Sequence, residues 1–597
     1  FSQKLVDKTI ILLYNSDMNN KIILTIVATF VAAFFTTTVK SEPLEVWIYA
    51  ERTPSYLAPV TYTHEFVEAE DIKDVANLDI VTSGPKGQVS SLYIRGADSD
   101  QNLITLNGIP IKDHSSPTGT DDIGQHNFTG ISSVEIIKGP MSSVYGANAS
   151  GGVINLLSDV SHESYATLSV GSNNANKQKI QVSDTSDRLS YTINVEREAT
   201  DGISVYPGGS ETDPYDNKNY NLNFFYYGNN ANYRLNYINE LNNSNLDGMS
   251  DTEDYVGKWN WKNLQLDATT NNSRFAFNNS NHNRTYTKDG LLEGNYKSNT
   301  NTFLVSHILN FNKADVTVGV EHENVDANFL TNIRGAFPYT SSVDKTRNTN
   351  GFFINTNILT EDSVVIATGI RYDSIDGFGD KVTGRYGLHK NGYRGSVSLG
   401  YRVPTLYEMY GQDNYGFTGN PNLKEEDTIG LELGYSNNIF DTAVFVTQES
   451  NAIIYDGTYV NDSDKSYTKG IETSVVHHIN DYFISGNVAF TDARKSNGEQ
   501  KLRRPKLTSN VKVSKIINNI EYSTKANYYG KHKDIDSKTF ATIDKSSVIT
   551  YDAELKYVKD SIEIFTGLYN ISNKEYERPD GYSQLGRNWK AGFKVYF

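Results

Sequence analysis

The most informative stretch of the chain is Val134-Glu135-Ile136-Ile137-Lys138-Gly139-Pro140, followed by Ser142-Ser143-Val144-Tyr145-Gly146 and Gly151-Gly152-Val153-Ile154-Asn155. It consists of short β-prone runs separated by glycine and proline. Glycine permits positive φ angles and a close approach of two backbones, so this spacing predicts tight turns in a densely packed domain. The surrounding residues 44–160 are rich in turn residues, and we expect short mixed strands there.

The rest of the chain, from about Tyr165 onward, alternates with a period of two. Tyr220, Leu222 and Phe224, for example, alternate with residues 221 and 223, which are both asparagine. This pattern predicts strands with one apolar and one polar face, as in a wall with lipid outside and water inside. At roughly 20 residues per strand and connection, the region would hold about 22 strands. A soluble β-sandwich or propeller is the alternative, but the region shows no blade-length repeat.

Composition limits the function classes. The chain has 597 residues, a net charge of −16 and no cysteine. Its length suggests at least two structural units, and the lack of cysteine excludes disulfides and thiolate metal sites. The acidic charge argues against nucleic acid as a partner. Mean hydropathy is only −0.50, but membrane barrels hide from hydropathy because only alternate residues face lipid. The 40 tyrosines suit two aromatic girdles.

The N-terminal region has the pattern of a secretory signal peptide over about residues 18–41. A short polar start with one lysine precedes the apolar run 22–35, and small residues follow at Val39 and Ser41. An anchoring helix is the alternative, but the apolar run is short for a membrane span. We expect residues 1–17 to come from an over-extended reading frame and the mature chain to begin near Glu42.

Several segments together resemble the motifs of TonB-dependent outer-membrane receptors, and the resemblance covers about residues 44–597. Asn107 departs from the aspartate that is usual in this family. Besides the opening stretch, the matching segments are Ser90-Ser91-Leu92-Tyr93-Ile94-Arg95-Gly96, Leu103-Ile104-Thr105-Leu106-Asn107-Gly108, Tyr401-Arg402-Val403-Pro404-Thr405-Leu406, Gly419-Asn420-Pro421-Asn422-Leu423 and Ser466-Tyr467-Thr468-Lys469-Gly470-Ile471-Glu472.

The resemblance implies an all-β membrane barrel of about 22 antiparallel strands, with an N-terminal α+β plug domain inside the lumen. We expect the signal peptide and upstream residues at 1–41, a TonB box and linker at 42–55, the plug at 56–160 and the transmembrane barrel at 161–597. The implied partners are TonB with its inner-membrane energising complex, outer-membrane lipid and lipopolysaccharide, and the transported ligand. A monomer is expected, with no required cofactor.

The expected TonB box is Leu44-Glu45-Val46-Trp47-Ile48-Tyr49, identified by its position and its β-prone apolar residues. Such a segment adds a strand to the sheet edge of its partner, and main-chain hydrogen bonds transmit the pull. Trp47 and Tyr49 depart from the threonine and valines that are usual in this family.

Arg95 and Lys138, both within the plug motifs, have two interpretations. They could contact ligand, but the favoured interpretation is structural, in which each cation pairs with carboxylates on the inner barrel wall.

Within the family, the resemblance points to the receptors for cobalamin (vitamin B12), because of overall length and the short spacing inside the Tyr401–Leu423 region. It implicates two plug loops and one late barrel loop in ligand contact. The implicated residues are Val89, Ser91, Asp98, Ser115, Ser116, Thr118 and Arg503.

Cobalamin receptors also order their outer loops with Ca²⁺, which takes six to eight oxygen ligands. The candidate ligands are Glu211, Asp213, Asp216, Asp247, Asp251 and Asp254. The alternative is two solvated acidic loops, which an acidic chain would produce in any case.

Other ligands and other classes of outer-membrane protein are alternatives to a cobalamin receptor. A ferric-siderophore receptor is the main alternative, and Tyr407, Tyr410, Tyr415 and Phe417 could line its vestibule. Heme is disfavoured because no histidine lies between Pro404 and residue 420. A passive porin conflicts with the plug motifs. An outer-membrane enzyme is disfavoured because the chain shows no nucleophile elbow, HExxH pair or phosphate loop.

Overall fold

The plug, at the N-terminal side of the described chain, is built on a five-stranded sheet. This computed structural model describes residues 61–246, 255–334, 338–412 and 418–597. The sheet has the order β1-β6-β7-β4-β5, in which only β4 and β7 run parallel, and β2 and β3 form a separate hairpin. The elements are β1 (His64–Val67), β2 (Leu78–Thr82), β3 (Ser90–Ile94), β4 (Asn102–Leu106), β5 (Ile109–Pro110), β6 (Ser133–Lys138), α1 (Ser142–Tyr145), β7 (Gly152–Leu157) and the 3-10 helices Ala69–Asp74, Ser99–Gln101 and Ile123–Gln125.

The motif at 134–155 forms the centre of this sheet. β6 and β7 pair antiparallel, and Val134, Ile136 and Ile154 are fully buried. Gly146 ends α1 at φ +77°, and a β-carbon there would lie 3.1 Å from the guanidinium of Arg371 on the barrel. Glycine suits this position for two reasons. It adopts the left-handed backbone conformation without strain, and it leaves room for the barrel wall.

The second unit of architecture is a closed antiparallel barrel, to which the described residues contribute 22 strands. β33 pairs with β8 to close it. The strands are β8 (Tyr165–Gly171), β9 (Asn176–Thr185), β10 (Leu189–Thr200), β11 (Tyr215–Tyr227), β12 (Asn232–Asn245), β13 (Tyr255–Thr269), β14 (Ser273–Lys288), β15 (Leu291–Phe311), β16 (Ala314–Ile333), β17 (Tyr339–Leu359), β18 (Val365–Ile375), β19 (Gly379–Lys390), β20 (Tyr393–Arg402), β21 (Glu426–Ser436), β22 (Phe440–Ser450), β25 (Ser466–Ile479), β26 (Tyr482–Arg494), β27 (Leu507–Ile517), β28 (Ile520–Tyr529), β31 (Val548–Lys559), β32 (Ile562–Tyr569) and β33 (Asn588–Tyr596).

Short elements lie in the barrel loops. They are α2 (Leu406–Tyr410) and two small hairpins, β23 (Ile453–Tyr455) with β24 (Tyr459–Asn461) and β29 (His532–Ile535) with β30 (Thr542–Lys545). No helix in the described residues has the length and apolar composition needed to cross a membrane.

The predicted two-faced strands are confirmed. Along β11, Asn219, Asn221 and Asn223 are buried, while Leu222 and Phe224, which alternate with them, are partly exposed on the other face. Lipid-facing apolar residues and a polar lumen produce this arrangement.

One departure from the alternation has a clear cause. Phe225 lies on the polar, inward face of β11 and is only 7% exposed. Its cross-strand neighbour Arg234 stacks over the ring at 4.2 Å from its centroid. A cation–π contact therefore accommodates an aromatic residue in the polar lumen.

The plug lies inside the barrel, because its residues bond to inner-wall residues on several sides. Asn107 donates to Gln265 of β13 at 3.0 Å, and Lys112 lies 3.4 Å from Glu323 of β16. On another side, Arg371 of β18 donates to the Val144 carbonyl. The predicted plugged barrel is thus confirmed.

Candidate functional site

A cavity of about 310 Å³ lies between the plug and the wall formed by β12, β13 and β14. Four of the residues implicated in ligand contact line it, namely Val89, Ser91, Ser116 and Thr118. The fold therefore brings two separate plug loops together at one cavity.

Hydrogen bonds fix the plug side of the cavity. The Asp122 carboxylate accepts from the backbone N–H of Ser90 and of Gly124, each at 3.1 Å. Asp113 accepts from the backbone N–H of Ser115 at 2.9 Å, and its other oxygen lies 2.8 Å from Arg284 of β14. Carboxylates that cap backbone N–H groups hold such loops in a defined shape.

Flat rings form the opposite wall. The strand register places Trp261 of β13 across from His282 of β14 and Trp259 across from Arg284. The rings of Trp261 and His282 are nearly parallel, at 6.2 Å, and Tyr286 meets Trp259 edge to face at 5.8 Å. Such a wall presents π-faces to a bound molecule.

A histidine between two carboxylates joins the plug to this wall. His126 Nε2 lies 2.6 Å from the Asp121 carboxylate, and His126 Nδ1 lies 2.8 Å from Glu240 of β12. Burial opposes the charge on His126, but Asp121 and then Glu240 outweigh it and hold the pKa of His126 well above its usual range. Beside it, burial raises the pKa of Asp122 to about 7.

A second buried charge cluster fixes the plug to the far wall. Arg95 lies 2.6 Å from Glu432 of β21 and 2.6 Å from Glu472 of β25. Lys138 reaches Glu65 at 2.6 Å and Glu472 at 3.5 Å. The structural interpretation of Arg95 and Lys138 is confirmed, because each cation pairs with a wall carboxylate.

Comparison with known families decides the identity of the fold. A family profile described as "TonB dependent receptor-like, beta-barrel" matches residues 167–571, and one described as "TonB-dependent Receptor Plug Domain" matches residues 69–153. The chain belongs to the TonB-dependent receptor family. It is therefore a receptor of the outer membrane, as the sequence motifs predicted.

Two relatives of similar sequence are named as vitamin B12 transporters. The Vitamin B12 transporter BtuB of Vibrio cholerae serotype O1 is 23% identical over 571 residues, 87% of this chain and 88% of the relative. BtuB of Vibrio vulnificus is 23% identical over 572 residues, 88% and 89% of the two chains.

Solved structures also share the fold, and two of them serve as examples. The siderophore receptor PirA of Acinetobacter baumannii has a TM-score of 0.72 at 16% identity, covering 89% of this chain and 98% of that one. The ferric yersiniabactin uptake receptor FyuA of Yersinia pestis has 0.71 at 17%, covering 90% and 98%.

Three implicated residues of the receptor lie outside the lining of the cavity. Ser115 binds Asp113 in the turn beneath it. Asp98 pairs with Lys501 at 2.7 Å and with Arg504, which joins the plug to a late barrel loop. Arg503 pairs with Asp534 at 2.8 Å. Ligand contact by these three residues, and by the four that line the cavity, stays a prediction.

The acidic loops hold no assembled metal site within the described residues. Glu211 accepts from the Ser204 hydroxyl at 2.7 Å, the buried Asp213 accepts from the Val205 N–H at 2.7 Å, and Asp216 pairs with Arg197 at 3.1 Å. No group of three or more histidine or acidic side chains that could hold an ion is found in that part of the chain. Asp247, Asp251 and Asp254 lie outside the described residues, so calcium stays a prediction.

Other predictions also fall outside the described residues. These are the signal peptide, the TonB box Leu44–Tyr49, and the vestibule residues Tyr415 and Phe417. Tyr407 is described, and its ring lies 5.9 Å from that of Phe329.

The family motif at 401–406 is structural in this receptor. Arg402 binds Glu408 at 2.9 Å and Glu426 at 2.8 Å. Thr405 caps α2 with the reciprocal bonds of a capping box involving Glu408.

Sequence reasoning missed the ring-lined wall and the histidine between carboxylates. Trp259, Trp261, His282 and Tyr286 follow the ordinary alternation of a strand, so only the register shows that they face one cavity. A local signal existed for His126, since it follows two adjacent aspartates, but its barrel partner Glu240 is 114 residues away.

Proposed function

We propose that this receptor carries cobalamin across the outer membrane in a cycle driven by TonB, without chemical conversion of the ligand. The curated relatives named above as Vitamin B12 transporters support this cargo, as do the ligand loops implied by the family resemblance. The observation that carries the proposal is the cavity, where four of the implicated residues meet a wall of flat rings.

The charge of the cavity favours cobalamin over ferric siderophores. Four carboxyl groups line it against one arginine and two histidines: Asp113, Asp121, Asp122, Glu240, Arg284, His126 and His282. Cobalamin is a flat corrin edged by amides, whose N–H groups suit carboxylate acceptors and whose ring suits Trp and Tyr faces. Ferric catecholate siderophores are anions, which an acidic lining would repel.

In the proposed cycle, ligand and TonB act on different parts of the chain. Ligand binds the plug loops and the β12–β14 wall, the segment 44–49 adds a strand to the sheet edge of TonB, and traction rearranges the plug to open a path. We propose that the receptor acts as a monomer in lipid and lipopolysaccharide, with TonB and its inner-membrane complex as partners and Ca²⁺ as a structural ion of the outer loops.

A binding panel tests the cargo. The purified full chain in detergent is titrated with cobalamin, a ferric catecholate siderophore and heme, and we expect cobalamin to bind tightest. Val89→Trp fills the cavity and should weaken cobalamin binding by about tenfold or more, equivalent to about 1.4 kcal/mol.

The matched control is Val170→Trp. Val170 is 56% exposed on the outward face of β8, comparable with 46% for Val89, so the same substitution there should leave affinity unchanged. Tighter binding of the siderophore, or equal effects of the two substitutions, would contradict the proposal.

A further inference from the structure

His126 holds a position that requires a particular protonation state. Its two ring nitrogens face carboxylates of different parts of the protein, Asp121 on the plug at 2.6 Å and Glu240 on the barrel at 2.8 Å. The side chain is only 4% exposed and both carboxylates are buried as well, so a lost contact would leave a buried polar group unsatisfied. Ionised carboxylates only accept hydrogen bonds, and a neutral imidazole has a single N–H donor. Both contacts are satisfied at once only by the imidazolium.

The segment around His126 also holds the ligand-lining loop of the plug. Asp122 accepts from the Ser90 N–H at 3.1 Å, and Gln125 donates to the carbonyl oxygens of Gly87 and Gln88 at 3.1 and 3.3 Å. Residues 121–127 therefore connect the loop that carries Val89 and Ser91 to the barrel wall.

The barrel end of the connection is Glu240. While one of its oxygens faces His126, the other accepts from the backbone N–H of Asn127 and from the amide of Asn217, each at 2.9 Å. Glu240 is 3% exposed. The attachment is thus a compact, charge-assisted joint rather than a surface ion pair.

Among the described residues, no second cation lies within hydrogen-bonding range of both Asp121 and Glu240. No other group there could take the place of the His126 proton. The titratable groups that face His126 are Asp121, Asp122 and Glu240, with His282 on the other side of Asp121 at 3.4 Å. Arg284 is engaged with Asp113. Trp261 packs against the His126 ring edge to face at 4.6 Å.

We propose that protonated His126 is a latch that docks the ligand-lining plug loop on strand β12, and that loss of its proton releases the loop. The latch regulates the cavity in which the proposed function places the ligand, so this inference rests on the proposed function. Its physical basis is independent of the cargo, because every contact of the joint is made by residues of this chain.

The direction of the pH dependence follows from the raised pKa of His126. A histidine whose pKa is higher in the folded state stabilises that state fully below its ordinary value and loses the contribution as the pH rises through the raised value. The loop should therefore stay docked at neutral pH and loosen toward alkaline pH.

The test uses a spin label in ligand-free protein. The chain has no cysteine, so Val89→Cys gives one labelling site on the loop, and electron paramagnetic resonance reports its mobility from about pH 7 to about pH 10. The label should be immobilised at neutral pH and mobile at alkaline pH. His126→Gln in the same background should be mobile throughout, with the pH dependence lost.

Two further variants keep the test decisive. His307→Gln is the matched control, because His307 is exposed and bonds only Ser273 among the described contacts, and it should behave as wild type. If His126→Gln fails to fold, Glu240→Gln removes the barrel end of the latch instead. An unchanged pH profile in the folded variant, or an immobile wild-type label at every pH, overturns the latch. A failure of cobalamin to bind would refute the proposed cargo and leave the spin-label result standing.

Discussion

The plug buries apolar side chains, whereas the barrel exposes apolar side chains and buries polar ones. In the plug, Val134 and Ile154 are fully buried in the sheet core. In the barrel, Leu433 is 71% exposed, while Asn217 and Asn236 are fully buried. The plug follows the rule for a water-soluble domain, and the barrel follows the rule for a wall between lipid and water.

The two regions therefore meet through a mixed interface. Small apolar clusters occur in it, such as Ile109 of the plug with Leu304 and Phe353 of the barrel. Where the lumen is polar, an apolar plug surface would leave buried polar groups unpaired, which is costly. There the interface uses buried ion pairs, such as Arg95 with Glu432 and Glu472, and His126 with Glu240. A buried charge is tolerated only while its partner is present, so the docking of the plug depends on a few residues.

The largest expected effect comes from breaking the Arg95 cluster. Arg95→Leu removes the closest cation from two buried carboxylates and leaves Glu432 to Arg394 at 3.1 Å and Glu472 to Lys138 at 3.5 Å. We expect the plug to lose up to about 3–5 kcal/mol of docking stability. Calorimetry in detergent, with limited proteolysis of the plug, measures the loss.

Arg494→Leu is the control on the exposed side, since Arg494 pairs with Asp492 at 2.9 Å but remains 44% exposed. An exposed pair contributes about 0–1 kcal/mol, so equal losses for the two substitutions would refute the distinction.

A charge on the lipid face should have the next largest effect. Leu431 lies at the middle of β21 and is 56% exposed. Arginine at the midplane of a membrane strand costs about 2–4 kcal/mol, so Leu431→Arg should lower barrel stability by that amount in lipid vesicles. Leu431→Phe keeps the face apolar and should cost little. A tolerated arginine would mean that this face does not contact lipid.

Acid should weaken the plug through His64, whose pKa burial lowers to about 4. Because the folded value lies below the ordinary 6.5, the neutral form is favoured in the fold, and stability is lost as the pH falls from about 6.5 to about 4. The loss at pH 5 is about 2 kcal/mol. Calorimetric titration of plug unfolding should show this slope in wild type and a flatter one in His64→Gln. The same slope in both proteins would contradict the assignment.

The sequence predicted what depends on local pattern. Alternation along β11 predicted a two-faced wall, and the glycine-centred stretch 134–155 predicted a packed plug. The pairing of Arg95 with the wall was also predictable, because a cation in a buried motif needs a carboxylate.

Pairings set by strand register were beyond the sequence. Trp261 and His282 face each other only because β13 and β14 align as they do, and Glu240 reaches His126 across 114 residues of chain. A one-residue slip in register would move each of these side chains to the lipid face. The strand topology and register therefore create the cavity. For four of its lining residues, the sequence predicts ligand contact but not a shared cavity.

Uptake of labelled cobalamin in cells shows whether a pull on the N-terminal segment opens the plugged barrel. Cells that produce the full chain are compared with cells that produce a chain lacking residues 44–49, and surface binding is measured alongside uptake. We predict that the deletion abolishes uptake and leaves surface binding unchanged, because the segment is assigned to TonB and not to the ligand. Uptake that continues at the wild-type rate without residues 44–49 would contradict the account.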